Sequence, residues 1–310
     1  MAPMTDFLVI GECVADIVRS PAGPDVTHPG GSPANVAYGL ARLGHRAALL
    51  TQLGDDPSGE LIGAHLRSAG VELLSDGQQG VATPTAVVTL DDQGRASYDF
   101  DIHWTLRPTG APTGIGHVHI GSIAAVTEPG ASAVSALAAE LRSTATVSYD
   151  PNVRADLLGD HGAAVAKVEE CVALADVVKA SDEDLEWLYP GEPPADAARR
   201  WLALGPSVVF VTLGGDGALA FTGAGEVRGE PVRTEVADTV GAGDSFMSAM
   251  LDALAERGLV GAGARPALGA LGAGELAAVL RHAGTAAAVT VSRAGARPPD
   301  VAELRAALAG

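Results

Sequence analysis

Asp238-Thr239-Val240-Gly241-Ala242-Gly243-Asp244 runs from a loop of small residues into a segment whose apolar positions Phe246, Met250 and Leu254 fall at i, i+4 and i+8. That spacing predicts a helix opening at Ala242. Small residues let an anion approach the backbone. The free amides of a first helical turn and the positive end of the helix dipole then face it. Asp244 sits in that turn, where a carboxylate is stabilised and can also accept a proton. Taken alone, the segment fits two readings. It is a helix start with a capping acid beside a packing glycine, or a cradle for a phosphoryl group with a base next to it.

Outward from this segment the chain alternates between strand and helix patterns. Phe7–Gly11 is a buried strand. Ser32 opens a helix as its cap, with Pro33 at the first helical position and Gly44 closing it. Ala47–Leu53 and Pro57–Ala69 continue the rhythm. His117–Ile120, Ala131–Arg142, Thr146–Tyr149, Ala163–Leu174 and Val177–Lys179 repeat it, followed by the apolar strand Val208–Leu213 and a glycine turn into Ala218–Phe221. Repeated βα units predict an α/β fold, a mostly parallel sheet with helices on both faces. Ligands then bind beyond the carboxyl ends of the strands. Thr85–Leu90 and Arg95–Asp101 flank the turn Asp91-Asp92-Gln93-Gly94 and break the rhythm as a hairpin. With the strand around Val14–Arg19 they form a small β subdomain, a lid over the site. The expected organisation is one domain over 1–310, with lid segments at about 13–30 and 84–103. The Gly/Ala-rich stretch Gly258–Gly274 reads as a mobile loop.

The 310 residues are 47% apolar and only 4% aromatic, with mean hydropathy +0.21, so the core is built of Ala, Val and Leu. A net charge of −18 and a pI near 4.7 argue against nucleic acid or an anionic membrane as partner. Cys13 and Cys171 form neither a disulfide framework nor a thiolate metal site. The first residues lack a basic segment before their short apolar run, and no stretch reaches transmembrane length. The expected location is the cytoplasm.

Gly30-Gly31-Ser32-Pro33-Ala34-Asn35 precedes the first helix. Together with Asp238–Asp244, in this order and at this separation, it resembles the two signature segments of the PfkB/ribokinase family of carbohydrate kinases. The resemblance spans nearly the whole chain. It implies a ribokinase-like fold and an ATP-dependent sugar kinase. On that resemblance, Asp244 is the general base, and the amides of Gly241, Ala242 and Gly243 form the anion hole for the transferred phosphate. Asp16 and Asn35 hold sugar hydroxyls, and Gly30 and Gly31 are the hinge of the lid. Thr212, Gly214 and Gly217 border the ATP. Lys179, Ser181 and Asp184 stand where the family carries its N-x-x-E segment, with Ser for Asn and Asp for Glu. Asp184 would then place Mg²⁺ through water. Asp238 and Arg293–Ala296 match a monovalent-cation (K⁺) site.

Asp150-Pro151-Asn152-Val153-Arg154 resembles fructokinases and 2-keto-3-deoxygluconate kinases, with Asn152 and Arg154 toward the sugar. His28–Gly31, His119–Ser122 and Lys179–Ser181 also resemble bacterial fructokinases, whereas Asp101–Leu106 departs from them; His103 and Trp104 there are pocket contributors or packing residues. Fructose is the first expectation, and a sugar acid, another pentose or hexose, or a nucleoside the alternatives. A non-catalytic sugar sensor on the same fold is a further rival. A dehydrogenase is disfavoured, because Gly11-Glu12-Cys13 does not open a G-x-G-x-x-G helix. An exposed lid edge would pair two chains as a homodimer.

Overall fold

A computed structural model describes residues 6–19, 24–75, 80–90, 96–107 and 112–310. In chain order its elements are β1 (Asp6–Ile10), β2 (Val14–Arg19), β3 (Val26–Gly30), α1 (Ser32–Arg42), β4 (Arg46–Leu50), α2 (Pro57–Ser68), β5 (Glu72–Leu74), β6 (Thr85–Leu90), β7 (Ala96–Asp101), β8 (His117–Gly121), α3 (Gly130–Leu141) and β9 (Thr146–Asp150). They continue with α4 (His161–Leu174), β10 (Val177–Ser181), α5 (Asp182–Leu188), α6 (Pro194–Leu202), β11 (Val208–Thr212), β12 (Ala218–Thr222), β13 (Gly225–Gly229), α7 (Ala242–Glu256), α8 (Arg265–Gly269), α9 (Ala273–Val291) and α10 (Val301–Ala309).

Nine strands form one sheet in the order β13-β12-β11-β10-β9-β8-β1-β4-β5. The pairs from β11 through β5 are parallel, and β12 and β13 add an antiparallel edge. Successive side chains of β1 feed opposite faces. Phe7 and Val9 join one core cluster with residues of α1, α2, α7 and α9; Leu8 and Ile10 join the other, with residues of α3 to α6. Helices cover both faces, so central strands such as β8 and β9 are buried throughout. The parallel strands all end at one edge of this sheet, and the loops there build the site.

The second sheet has the order β3-β2-β6-β7. The hairpin of β6 and β7 is present, and β2 pairs with β6 in parallel. The turn expected at 91–94 lies outside the described residues. Gln52 fixes where the chain leaves this sheet: its amide donates to the carbonyl of His103 and accepts from the N–H of Thr105, both at 3.0 Å.

Three expectations need correction. Gly31, not Ser32, caps α1, with φ at 100°, and the Ser32 hydroxyl is spent elsewhere, while Gly44 closes the helix as expected, with φ at 87° and its N–H donating to the carbonyl of Ala41 at 3.0 Å. The stretch Gly258–Gly274 is not a loose loop. It carries a 3-10 turn, α8 and the start of α9, with Leu268 and Leu271 buried. Arg265 anchors it by donating to Asp176 Oδ1 and to the carbonyls of Arg142 and Ala145, each at 2.7 Å. The elements β5, β13, α5 and α6 were not foreseen. No helix of the described residues is long and apolar enough to cross a membrane.

Candidate active site

A cavity of about 1020 Å³ opens at the carboxyl edge of the large sheet, under the small one. Its lining includes Asp16, Gly31, Asn35, Asn152, Arg154, Lys179, Ser181, Asp184, Thr212, Gly214, Gly217 and the run Gly241–Asp244. These come from sequence positions more than 200 apart. Gly30 and Asp238 stand just behind the lining.

Asp244 is half-buried in the first turn of α7. Its Oδ1 accepts from the Ser32 hydroxyl at 2.6 Å, and its Oδ2 accepts from the Asn35 amide at 2.8 Å. Burial raises its pKa; the hydrogen bonds from Ser32 and Asn35 and the charges of Lys179 and Arg154 oppose that without cancelling it. The result is a fixed carboxylate, more basic than an exposed one. The Ser-Pro-Ala-Asn start of α1 and the GAGD start of α7 thus meet on one carboxyl group, because α1 and α7 pack side by side.

Gly241 caps α7 with φ at 75°, and a β-carbon there would lie 2.6 Å from Cβ of Ala296. Only glycine fits. At Gly243 a β-carbon would come within 3.0 Å of the Lys179 ammonium, which lies directly beneath the turn. Among the described residues, the N–H groups of Gly241 and Gly243 make no backbone hydrogen bond, while that of Ala242 donates to Thr239 at 3.3 Å. Lys179 is itself buried and pairs with Asp150 Oδ2 at 3.0 Å. Burial alone would lower its pKa, but Asp150, Asp184 and Asp244 outweigh that and raise it, so the ammonium stays charged. Asp150 is pushed up to about 6 by burial, against the pull of Lys179.

At the end nearest the small sheet stands Asp16, opposite His28 in the strand register. Burial pushes its carboxyl up to about 6, with His28 and Arg154 holding it from rising further. A β-carbon at Gly30 would strike the Asp16 carboxylate, and one at Gly31 would lie 2.6 Å from the Glu12 carbonyl. Arg154 is exposed and donates to the carbonyls of Asn152 and Val153. Asn152 has a positive φ, 37°, as does Ser122 at 54°, and the Asn152 amide reaches the Ser122 hydroxyl at 3.4 Å.

Asp184 is placed differently from a free metal ligand. Its Oδ2 accepts from the Ser181 N–H at 2.9 Å, closing a capping box at the start of α5, and its Oδ1 accepts from the Val153 N–H at 2.7 Å. It ties the β10–α5 turn to the loop bearing Asn152 and Arg154. Asp238 accepts from Val240 at 3.1 Å and from Gly295 at 2.8 Å, which join the approach to α7 to the 293–296 segment. Those backbone hydrogen bonds lower its pKa.

Sequence reading missed three contributors. Ser32 was taken for a cap. Glu12, just after β1, lies buried in the lining; its Oε2 accepts from the Ala124 N–H at 3.1 Å, and burial pushes its carboxyl up to about 7. Val232, Val236, Leu280, Gly284 and Val291 form an apolar slot at the opposite end, between the strap after β13 and α9. The S-x-x-D spacing of Ser181 and Asp184 was a legible capping signal; Glu12 carried none beyond its place after a strand. Trp104 does not reach the cavity. It is buried against Gly130, and the exposed ring of His103 faces Asp101 at 3.4 Å.

Residues 4–303 match the model of the pfkB family carbohydrate kinase. A fructokinase of Klebsiella pneumoniae is 35% identical over 264 residues, 81% of this chain and 85% of that one. Among solved structures, the fructokinase of Vibrio cholerae O395 in its fructose-, ADP- and calcium-bound form superposes with a TM-score of 0.78 at 28% identity, covering 99% of this chain and 98% of that one. The ATP-bound fructokinase of Xylella fastidiosa gives 0.84 at 26% identity, covering 98% of both. With this cavity and these relatives, the chain belongs to the pfkB family of carbohydrate kinases.

Proposed function

We propose that the protein phosphorylates fructose with ATP. The observation that carries this reading is the fixed Asp244 carboxylate beside the unengaged amides of Gly241 and Gly243. A sugar hydroxyl placed against Asp244 gives up its proton to that carboxylate as its oxygen attacks the γ-phosphorus. The bond to the β–γ bridging oxygen breaks and ADP leaves. Charge on the transferred phosphoryl is met by the amides of the α7 turn, the helix dipole and Lys179 beneath them. Asp16, Asn35, Asn152 and Arg154 hold the sugar, with Gly30 and Gly31 as the hinge of the small sheet. Thr212, Gly214, Gly217 and Ser181 border the phosphates, and the apolar slot takes the base.

The sugar end favours a neutral substrate. Glu12, Asp16 and Asp244 supply three carboxyl groups there, against the guanidinium of Arg154 and the Lys179 ammonium, which is already paired with Asp150. Hydroxyl donors suit such a lining, and the carboxylate of a sugar acid is repelled by it. This sets fructose above 2-keto-3-deoxygluconate. Mg²⁺ would be held through water near Asp184, whose two oxygens each spend one lone pair on a backbone N–H. When bound, it neutralises phosphate charge. A K⁺ ion would lie between the Asp238 and 293–296 segments. Pairing along β3 or β7, the outer strands of the small sheet among the described residues, would make the protein a homodimer. Two buried, unpaired cysteines suit the reducing cytoplasm.

The test is a panel of sugars, sugar acids and nucleosides with MgATP, following ADP release. Fructose is expected to give the highest kcat/KM. A sugar acid turned over faster than fructose would overturn the substrate assignment, and no ADP with any acceptor would overturn the kinase reading.

A further inference from the structure

Far along α7 from Asp244, a second cluster of ionisable side chains lies outside the cavity. Asp252 is buried where α7, α9 and the residue before β4 meet. Its Oδ1 is held by His45 Nε2 and its Oδ2 by His282 Nε2, both at 2.8 Å. Glu256 follows one turn later on the same face of α7. One ligand atom each from Asp252, Glu256 and His282 lies within 4.8 Å of the others.

The histidines explain Asp252 but not Glu256. The two carboxylates stand i, i+4 on one helix, an arrangement that repels. Among the described residues the exposed side chain of Glu256 makes no hydrogen bond and no ion pair. Arg257 and Arg281, which border the spot, spend donors on the carbonyls of Ala253 and Leu308 instead. A cation between the three groups removes the repulsion and gives Glu256 a partner.

We propose that Asp252, Glu256 and His282 bind a first-row divalent metal ion, with His45 orienting Asp252 from behind. An imidazole with two carboxylates selects Zn²⁺ or Co²⁺ over Mg²⁺ or Ca²⁺, which take oxygen donors. His45 fixes Oδ1 and so presents Oδ2 inward, as outer partners of ligating carboxylates do. The exposed side at Glu256 leaves a position for water. Such an ion would staple α7 to α9.

The test is calorimetric titration of the nucleotide-free protein with Zn²⁺, together with the visible absorption of the Co²⁺ form. One ion per chain is expected. His282→Ala and Glu256→Gln should each remove this site, and His45→Gln should weaken it about tenfold. The circular dichroism and metal-free unfolding midpoint of the Glu256 variant should match the parent, which separates ligand loss from misfolding. Zn²⁺ binding unchanged by both His282→Ala and Glu256→Gln, or the absence of any such site in the parent protein, would overturn the proposal.

Discussion

At the residue scale the decisive group is Asp244. Its two oxygens are held by Ser32 and Asn35, so replacing the carboxylate by an amide keeps the shape and removes the base. Asp244→Asn is expected to lower kcat by about 10²–10⁴-fold while leaving the sugar KM within a few-fold. Steady-state kinetics decide it; near-parent kcat would remove Asp244 from the role of base. The neighbouring Asp16 gives a pH signature. Burial pushes its carboxyl up to about 6, and on the proposed reading the ionised form is the one that accepts sugar hydroxyls. Lowering the pH protonates it and, with it, the raised Asp244. We expect kcat/KM for the sugar to be level above pH 7 and to fall about tenfold by pH 5. Asp16→Asn should flatten the part of that fall which belongs to KM.

At the element scale, the arrangement depends on short ties between loops rather than on any one helix. Asp184 is the clearest. Replacing it by Ala frees the Val153 N–H and unpins the segment that carries Asn152 and Arg154. The expected outcome is a rise of about tenfold in the sugar KM alongside a higher Mg²⁺ requirement, at a stability cost of about 1 kcal/mol from the lost cap. Sugar and Mg²⁺ titrations separate these, and an unchanged sugar KM would dismiss the tie. The βα alternation, the hairpin of the small sheet and the helix at Ala242 were all legible, because each rests on local periodicity and turn chemistry. What was not legible is what long-range packing decides. Ser32 has every mark of a cap, yet its hydroxyl is claimed by a carboxylate 212 positions away. Gly258–Gly274 has a loop's composition, yet Arg265 pins it to Asp176. Asp184 reads locally as a capping residue, and nothing local reveals its second bond to Val153.

At the scale of the whole molecule, the small sheet has β3 and β7 as its outer strands among the described residues. Val26 on β3 is 48% exposed and offers an apolar contact on that outer strand. Light scattering is expected to give twice the 31.1 kDa of a single chain, and Val26→Lys to shift the protein toward the single-chain mass. A parent protein that already scatters as one chain would dismiss the pairing.

Gly241 rests against Ala296, and Asp238 is held by Gly295. In chain order these supports come after Glu12, the Asn35 helix, Lys179 and Asp244 itself. A ribosome makes the chain in that same order. A nascent polypeptide that has already emitted every side chain named for chemistry therefore still lacks the backing of its phosphate turn. The turn gains that backing only once the 293–296 segment has been made and docked. A chain cut short before Gly295 is therefore expected to keep every one of those side chains and still lack the backing of the turn.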